Sequence, residues 1–197
     1  MRPLALALTT LMLAAPAFAQ SQAQPQPQPA GKERLLRAIP DGWQAKGTQK
    51  SPKGDTTMVF PPGQNSDKWS EMVIVQVVGD PQAAPDAYVN QVVEASRNNC
   101  EAIGPSPITE KSINGYPAAA MTVSCTKGRH SGMGGLVMVI AIRGREALYV
   151  VERLWQGPSF ARNEAVPASQ EMLKDWGAYT KSIYLCDIGD PGHPCSR

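Results

Sequence analysis

Two stretches of this chain are apolar on both sides of an extended backbone, and nothing else in the sequence restricts its folds as strongly. In residues 71–78, Met72, Ile74 and Val78 project to one face and Val73, Val75 and Val77 to the other. Residues 136–142 (LVMVIAI) repeat the pattern. A strand apolar on both faces belongs inside a sheet that is covered above and below. A half-solvated meander is therefore excluded, and a layered domain with helices on both sides is expected.

The remaining segments supply the layers. Residues 43–50 and 56–60 read as strands ahead of the first doubly apolar one, the second ending at Pro61-Pro62. Residues 85–99 carry the helical period, with Tyr88, Val89, Val92 and Val93 on one side and Pro85 and Asp86 suited to the first turn. Asn114-Gly115 between residues 108–113 and 116–126 is the preferred dipeptide of a two-residue type I′ hairpin. A second hairpin joins residues 136–142 to 147–155. Residues 166–184 form a closing amphipathic helix through Met172, Leu173, Trp176, Tyr179, Thr180 and Ile183. Residues 32–39, ahead of all these, read as a short helix stopped by Pro40. The order is β-β-β-α-β-β-β-β-α. Its hairpins make the sheet largely antiparallel, and too few β-α alternations remain for a parallel nucleotide-binding sheet. The fold class is α+β, an antiparallel sheet between helices.

The N-terminus carries an address. Met1-Arg2, an apolar run from Leu4 to Ala15 and the small-x-small site Ala17-Phe18-Ala19 make residues 1–19 a cleaved secretory signal, ending near Ala19. The apolar run is shorter than the roughly 20 residues that span a bilayer, so no transmembrane anchor is expected in the mature chain. Residues 20–31 alternate Gln and Pro, a composition of extended, unpacked spacers. A single domain, residues 32–197, follows. Its 42 % hydrophobic content is enough for a core, and a formal charge of +2 with no clustered basic run excludes nucleic acid as a partner. Export places the protein in the periplasm or the medium, where the four cysteines Cys100, Cys125, Cys186 and Cys195 favour disulfides. Three pairings are possible. The simplest closes the tail between Cys186 and Cys195 and leaves Cys100 to meet Cys125. The rival is a metal site of Cys186, Cys195, His193, Asp187 and Asp190, which has no CxxC spacing and competes with thiol oxidation. No metal or other cofactor is assigned.

Ile39-Pro40-Asp41-Gly42-Trp43, the turn Phe60-Pro61-Pro62-Gly63, and the apolar strand after Trp69-Ser70-Glu71-Met72 are followed by one helix, two hairpins and a closing helix. Over residues 40–186 this arrangement resembles the α/β/α sandwich of the Mog1, PsbP and DcrB-like proteins. The resemblance implies that fold and a theme of binding rather than catalysis. It supplies no site residue.

Catalytic constellations are weak. The only histidines are His130 and His193, and His130-Ser131 lies in a Gly-rich stretch with no nucleophile elbow. Those glycines precede a strand, not the helix N-terminus that a phosphate loop needs. His130 and Met133 alone make an incomplete copper site. Glu71 and Glu152 are the carboxylates placed to be partly buried, with pairing to Arg153, Arg143 or Lys68 as their structural explanation. Among the aromatics, Trp176 belongs to the core. Trp69 after a polar loop and Trp155 at a strand end are candidate binding anchors, and Phe160 and Arg162 on the loop 157–164 would border a cleft with Trp155. The candidate ligand or partner site is thus Trp69, Glu71, Trp155, Phe160 and Arg162, in a monomeric, non-catalytic binding protein of the envelope. A small-molecule or metal carrier and a hydrolase are the alternatives.

Overall fold

The computed structural model describes residues 31–195. The expected signal (1–19) and nearly all of the expected spacer (20–31) lie outside the described residues.

The chain runs β1 (Glu33–Leu36), β2 (Gln44–Ser51), β3 (Gly54–Phe60), β4 (Glu71–Val78), α1 (Pro85–Asn99), β5 (Ile103–Pro105), β6 (Thr109–Ile113), β7 (Tyr116–Cys125), β8 (Gly134–Arg143), β9 (Leu148–Gly157), α2 (Gln170–Ser182) and β10 (Tyr184–Asp187). The main sheet is antiparallel in the order β2-β3-β4-β9-β8-β7-β5, with β6 also on β7. Its two halves meet where β4 pairs β9, from Glu71 opposite Trp155 to Val78 opposite Leu148. Both doubly apolar strands are therefore interior, as their composition requires.

The two faces are covered differently. On one, Val73, Val75, Ile140, Ile142, Tyr149 and Val151 pack against Trp176, Tyr179 and Ile183 of α2 and against Leu35 and Leu185 of the small ribbon β1-β10. On the other, Val89 and Val93 of α1 meet Ala119, Met121, Val139, Ala141 and Val150. Helix α1 lies mainly over β7 and β8. Met58, Met72, Ile74 and Leu154, on the same face beyond it, are half-buried. The cover that composition demands is thus complete on one face and partial on the other.

Asn114 and Gly115 both have positive φ, 51° and 82°, as a type I′ turn needs. Helix α2 starts at Gln170, four residues later than the periodicity implies. Ser169 caps it by accepting from the Met172 N–H at 3.1 Å, and residues 166–169 behind Pro167 stay extended.

Residues 33–36 are a strand, not the expected helix. Four residues gain little from a single helical turn. As a strand they alternate buried Glu33 and Leu35 with half-buried Arg34 and Leu36 along β10. Glu33 is wholly buried and accepts from the Arg145 and Glu146 N–H groups at 2.7 and 3.1 Å and from the Tyr149 hydroxyl at 3.0 Å. Three donors satisfy the carboxylate and dock the strand against the β8-β9 turn. At the same place the Lys32 N–H donates to Glu146 Oε1 at 2.8 Å, so the described chain enters the fold at that end of the sheet.

Disulfides join Cys100 to Cys125 and Cys186 to Cys195. The second takes both thiols out of the metal set weighed above, and the other members have separate roles. His193 stacks on Tyr116 with ring centroids 4.0 Å apart and its Nδ1 lies 2.7 Å from the Asn114 carbonyl, while Asp190 pairs with Arg145. Asp187 Oδ1 accepts from the Gly189 N–H. The tail is a clasp on the β6-β7 turn.

Candidate functional site

At the end of the sheet away from the β8-β9 turn is an open cleft of about 380 Å³. Its floor is a lateral row across three strands, Val123, Val137 and Leu154, which register opposite one another on the α1 face. Ser96, Asn99 and Cys100, the last turn of α1 and its cap, form one wall. The loop carrying Gly128, His130, Ser131 and Met133 forms another, and Trp69, Trp155 and Gln156 close the end. Each wall is fastened. The Cys100–Cys125 disulfide ties the end of α1 to β7, and the Gly128 N–H donates to the Met133 carbonyl at 2.7 Å across the loop. Gln156 Nε2 donates to the Trp69 carbonyl at 2.6 Å, holding the approach to β4 beside β9. At Gly134 a Cβ would lie 2.3 Å from the Pro158 carbonyl and 2.9 Å from the Phe160 ring, so only glycine lets the loop after β9 close over the sheet end.

A second cleft, about 440 Å³, backs onto the first across Cys100 and is lined by Arg97, Glu101, Ala102, Ile103, Pro105, Arg129 and Arg162. The expected site residues are therefore divided. Trp69 and Trp155 both line the end of the apolar cleft, Trp155 from the α2-face core in which it is buried. Arg162 lines the second cleft, not the one with Trp155, and Phe160 packs on Gly134.

Glu71 registers opposite Trp155, and its carboxylate joins the α2 face of the sheet. There it meets Arg153, whose side chain is only 4 % exposed and which donates from Nη2 to Glu71 Oε2 at 3.1 Å and to Asp175 Oδ2 at 2.8 Å. Trp176 Nε1 donates to the same Glu71 oxygen at 3.0 Å. The guanidinium carbon sits 5.1–5.2 Å from the ring centroids of Trp43, Trp176 and Tyr179. Such rings compensate a buried cation through their π faces, and among the described residues nothing accepts from Arg153 Nε. This cage is the anchor of α2. It was foreshadowed only as a pairing partner for Glu71, although an arginine at the inward parity of Tyr149, Val151 and Trp155 is the signal that marks it.

Glu152, one residue earlier, points to the α1 face and has no cationic partner among the described residues, contrary to its expected pairing. Tyr88 Oη and Gln76 Nε2 each lie 3.4 Å from its Oε1, and burial raises its pKa above the usual carboxylate value while the Tyr88 hydrogen bond opposes that rise. Burial and the nearby Glu152 charge push the Tyr88 hydroxyl upward in turn. Glu71 and Asp175 share Arg153 Nη2, an ion-pair arrangement, and the side-chain partners of Glu152 are Tyr88 and Gln76. Ser131 Oγ accepts from the Met133 N–H at 3.2 Å, and among the described residues no hydrogen bond joins it to His130. No group of three or more metal-ligating side chains occurs among the described residues, and no described helix is long and apolar enough to cross a membrane.

No protein-family model and no curated protein matches this chain. Solved structures do resemble it. The PA94 protein of Pseudomonas aeruginosa, of unknown function, aligns with a TM-score of 0.45 and 16 % identity over 77 % of this chain and 95 % of its own. LpqN of Mycobacterium tuberculosis, involved in cell envelope biogenesis, aligns with a TM-score of 0.42 and 15 % identity over 79 % of this chain and 82 % of its own. At these values neither likeness carries a residue role to this chain.

Proposed function

We propose that this protein is an exported, non-catalytic binding domain of the cell envelope, a monomer of the Mog1, PsbP and DcrB-like type, that holds its ligand in the cleft beside Trp69 and Trp155. One observation carries the reading: Val137 and Leu154, beside buried Val123, leave apolar surface open inside walls fixed by a disulfide and by loop hydrogen bonds. Preformed, mainly apolar concavities of roughly 300–1,000 Å³ are the usual form of small-molecule sites. That favours a small ligand over a flat protein contact. The export signal in residues 1–19 and the two disulfides support an oxidising compartment outside the cytoplasm.

The test is native mass spectrometry of the protein isolated from the exported fraction, beside Val137→Asp, which puts a charge on the cleft floor. The expected result is a stoichiometric adduct on the wild type, lost on denaturation and missing from the variant. An adduct retained by Val137→Asp would place the ligand elsewhere, and a bare wild type would end the carrier form of the reading.

A further inference from the structure

The second cleft determines what chemistry the first one takes. Arg97, Arg129 and Arg162 converge there from three separate elements, and the one acid among them, Glu101, is already held by Lys127 at 2.9 Å. Arg97 has a local partner, Glu94 at 3.5 Å, and its place in the last turn of α1 suits the helix dipole. Arg129 and Arg162 have no such account. Neither side chain has an ion pair among the described residues, yet both stand on fastened backbone. The Arg129 N–H donates to the Asn99 carbonyl at 2.8 Å, the Phe160 N–H donates to the Thr126 carbonyl at 3.1 Å, and the turn 161–164 closes as the Ala161 N–H donates to Glu164 Oε2 at 2.8 Å. Like charges gathered on ordered loops repel one another until an anion neutralises them. Guanidinium forks also match the planar geometry of carboxylate and phosphate oxygens.

Arg129 and His130 are consecutive, so one loop reaches both clefts, and Cys100 lines both. The apolar floor and the cationic pocket are thus neighbours on either side of Cys100. We propose that the ligand is a single-chain amphiphile with an anionic head group, its chain on Val123, Val137 and Leu154 and its head among Arg97, Arg129 and Arg162. This inference rests on the cleft reading above and adds the charge and shape of what occupies it.

The test titrates the mature, disulfide-intact protein with four dodecyl probes below their micelle concentrations, following Trp69 and Trp155 fluorescence with Trp69→Phe as the check on the signal's origin. The probes are dodecanoate, dodecyl phosphate, dodecyl maltoside and dodecyltrimethylammonium. Either anionic probe should bind at least about tenfold more tightly than the maltoside, which is roughly 1.4 kcal/mol, and the preference should shrink as salt is added. Comparison of the two anions identifies carboxylate or phosphate as the head group. The double variant Arg129→Ser/Arg162→Ser should lose the preference while keeping maltoside affinity within about twofold, since both residues are peripheral to the core. Val137→Asp should abolish binding of every probe. Equal affinity for anionic and neutral probes, still blocked by Val137→Asp, overturns the anionic inference and leaves the cleft standing. Binding of no dodecyl probe overturns both, and binding of inorganic phosphate as tight as dodecyl phosphate overturns the amphiphile.

Discussion

Glu71 and Asp175 both contact Arg153, and the shorter contact is the less important one. Asp175 is 63 % exposed, so water screens its 2.8 Å pair and Asp175→Asn should cost less than about 1 kcal/mol. The Glu71 side chain is 22 % exposed and also accepts from Trp176. Removing it strands a buried cation and an indole N–H, so Glu71→Ala should cost about 2–3 kcal/mol. Urea denaturation of the two variants checks the order, and equal losses would mean the cage rings alone hold the guanidinium. Glu152 supplies the pH-dependent counterpart. Its folded pKa is raised by burial above the ordinary 4.5, so the unfolded chain ionises first as pH rises, and stability is lost upward from about that pH until the folded carboxyl has also ionised. Glu152→Gln should therefore gain stability over the wild type progressively as pH rises above the ordinary carboxylate value, read as a growing difference in urea midpoint. A difference that stays flat or shrinks would mean the carboxyl is better solvated than its neighbours imply.

The ribbon β1-β10 is the element most dependent on a covalent tie. The Cys186–Cys195 loop spans nine residues, and on the loop-entropy model its closure contributes about 2.5 kcal/mol. Cys186→Ala/Cys195→Ala should lower stability by roughly that amount and speed amide exchange in residues 33–36 and 184–187 ahead of the central strands. Uniform acceleration across the sheet would show that the ribbon does not open by itself. The same ribbon marks the limit of local pattern. Helix α1 has the bounds its periodicity implies, and Asn114-Gly115 makes the expected turn, because both signals lie within a few residues of each other. Residues 33–36 were legible only as apolar spacing, since their partner is some 150 residues away and short apolar runs fit a helix or a strand equally well. Strands β5 and β10 are too short to show a period. Trp69 and Trp155 were legible as aromatics at segment ends, and both line the cleft. The separation of Arg162 from Trp155 was not, nor the engagement of Glu71 by Arg153 and Trp176, because both depend on which way each strand and loop faces once β4 has met β9.

That meeting organises the whole molecule. Everything N-terminal to α1 in the main sheet is a meander, everything after it is another, and the β4-β9 seam closes a loop of more than 80 residues at its Glu71–Trp155 end. Such non-local closure slows folding, so refolding with disulfides intact should proceed in roughly milliseconds to seconds by stopped-flow tryptophan fluorescence. Val75→Ala, at the buried middle of the seam opposite Val151, should lower stability by about 1–3 kcal/mol and slow that phase if the seam forms in the rate-limiting step. An unchanged folding rate with faster unfolding would place seam closure after it. Strand β8, which reaches from the cleft end to the turn beside Lys32, is ten residues long, about 30 Å at the usual rise. Lys32, beside that turn, therefore lies about a full strand length from the cleft. The mouth of the cleft and the start of the described chain thus occupy opposite ends of the sheet, so an occupant of the cleft does not meet residue 31.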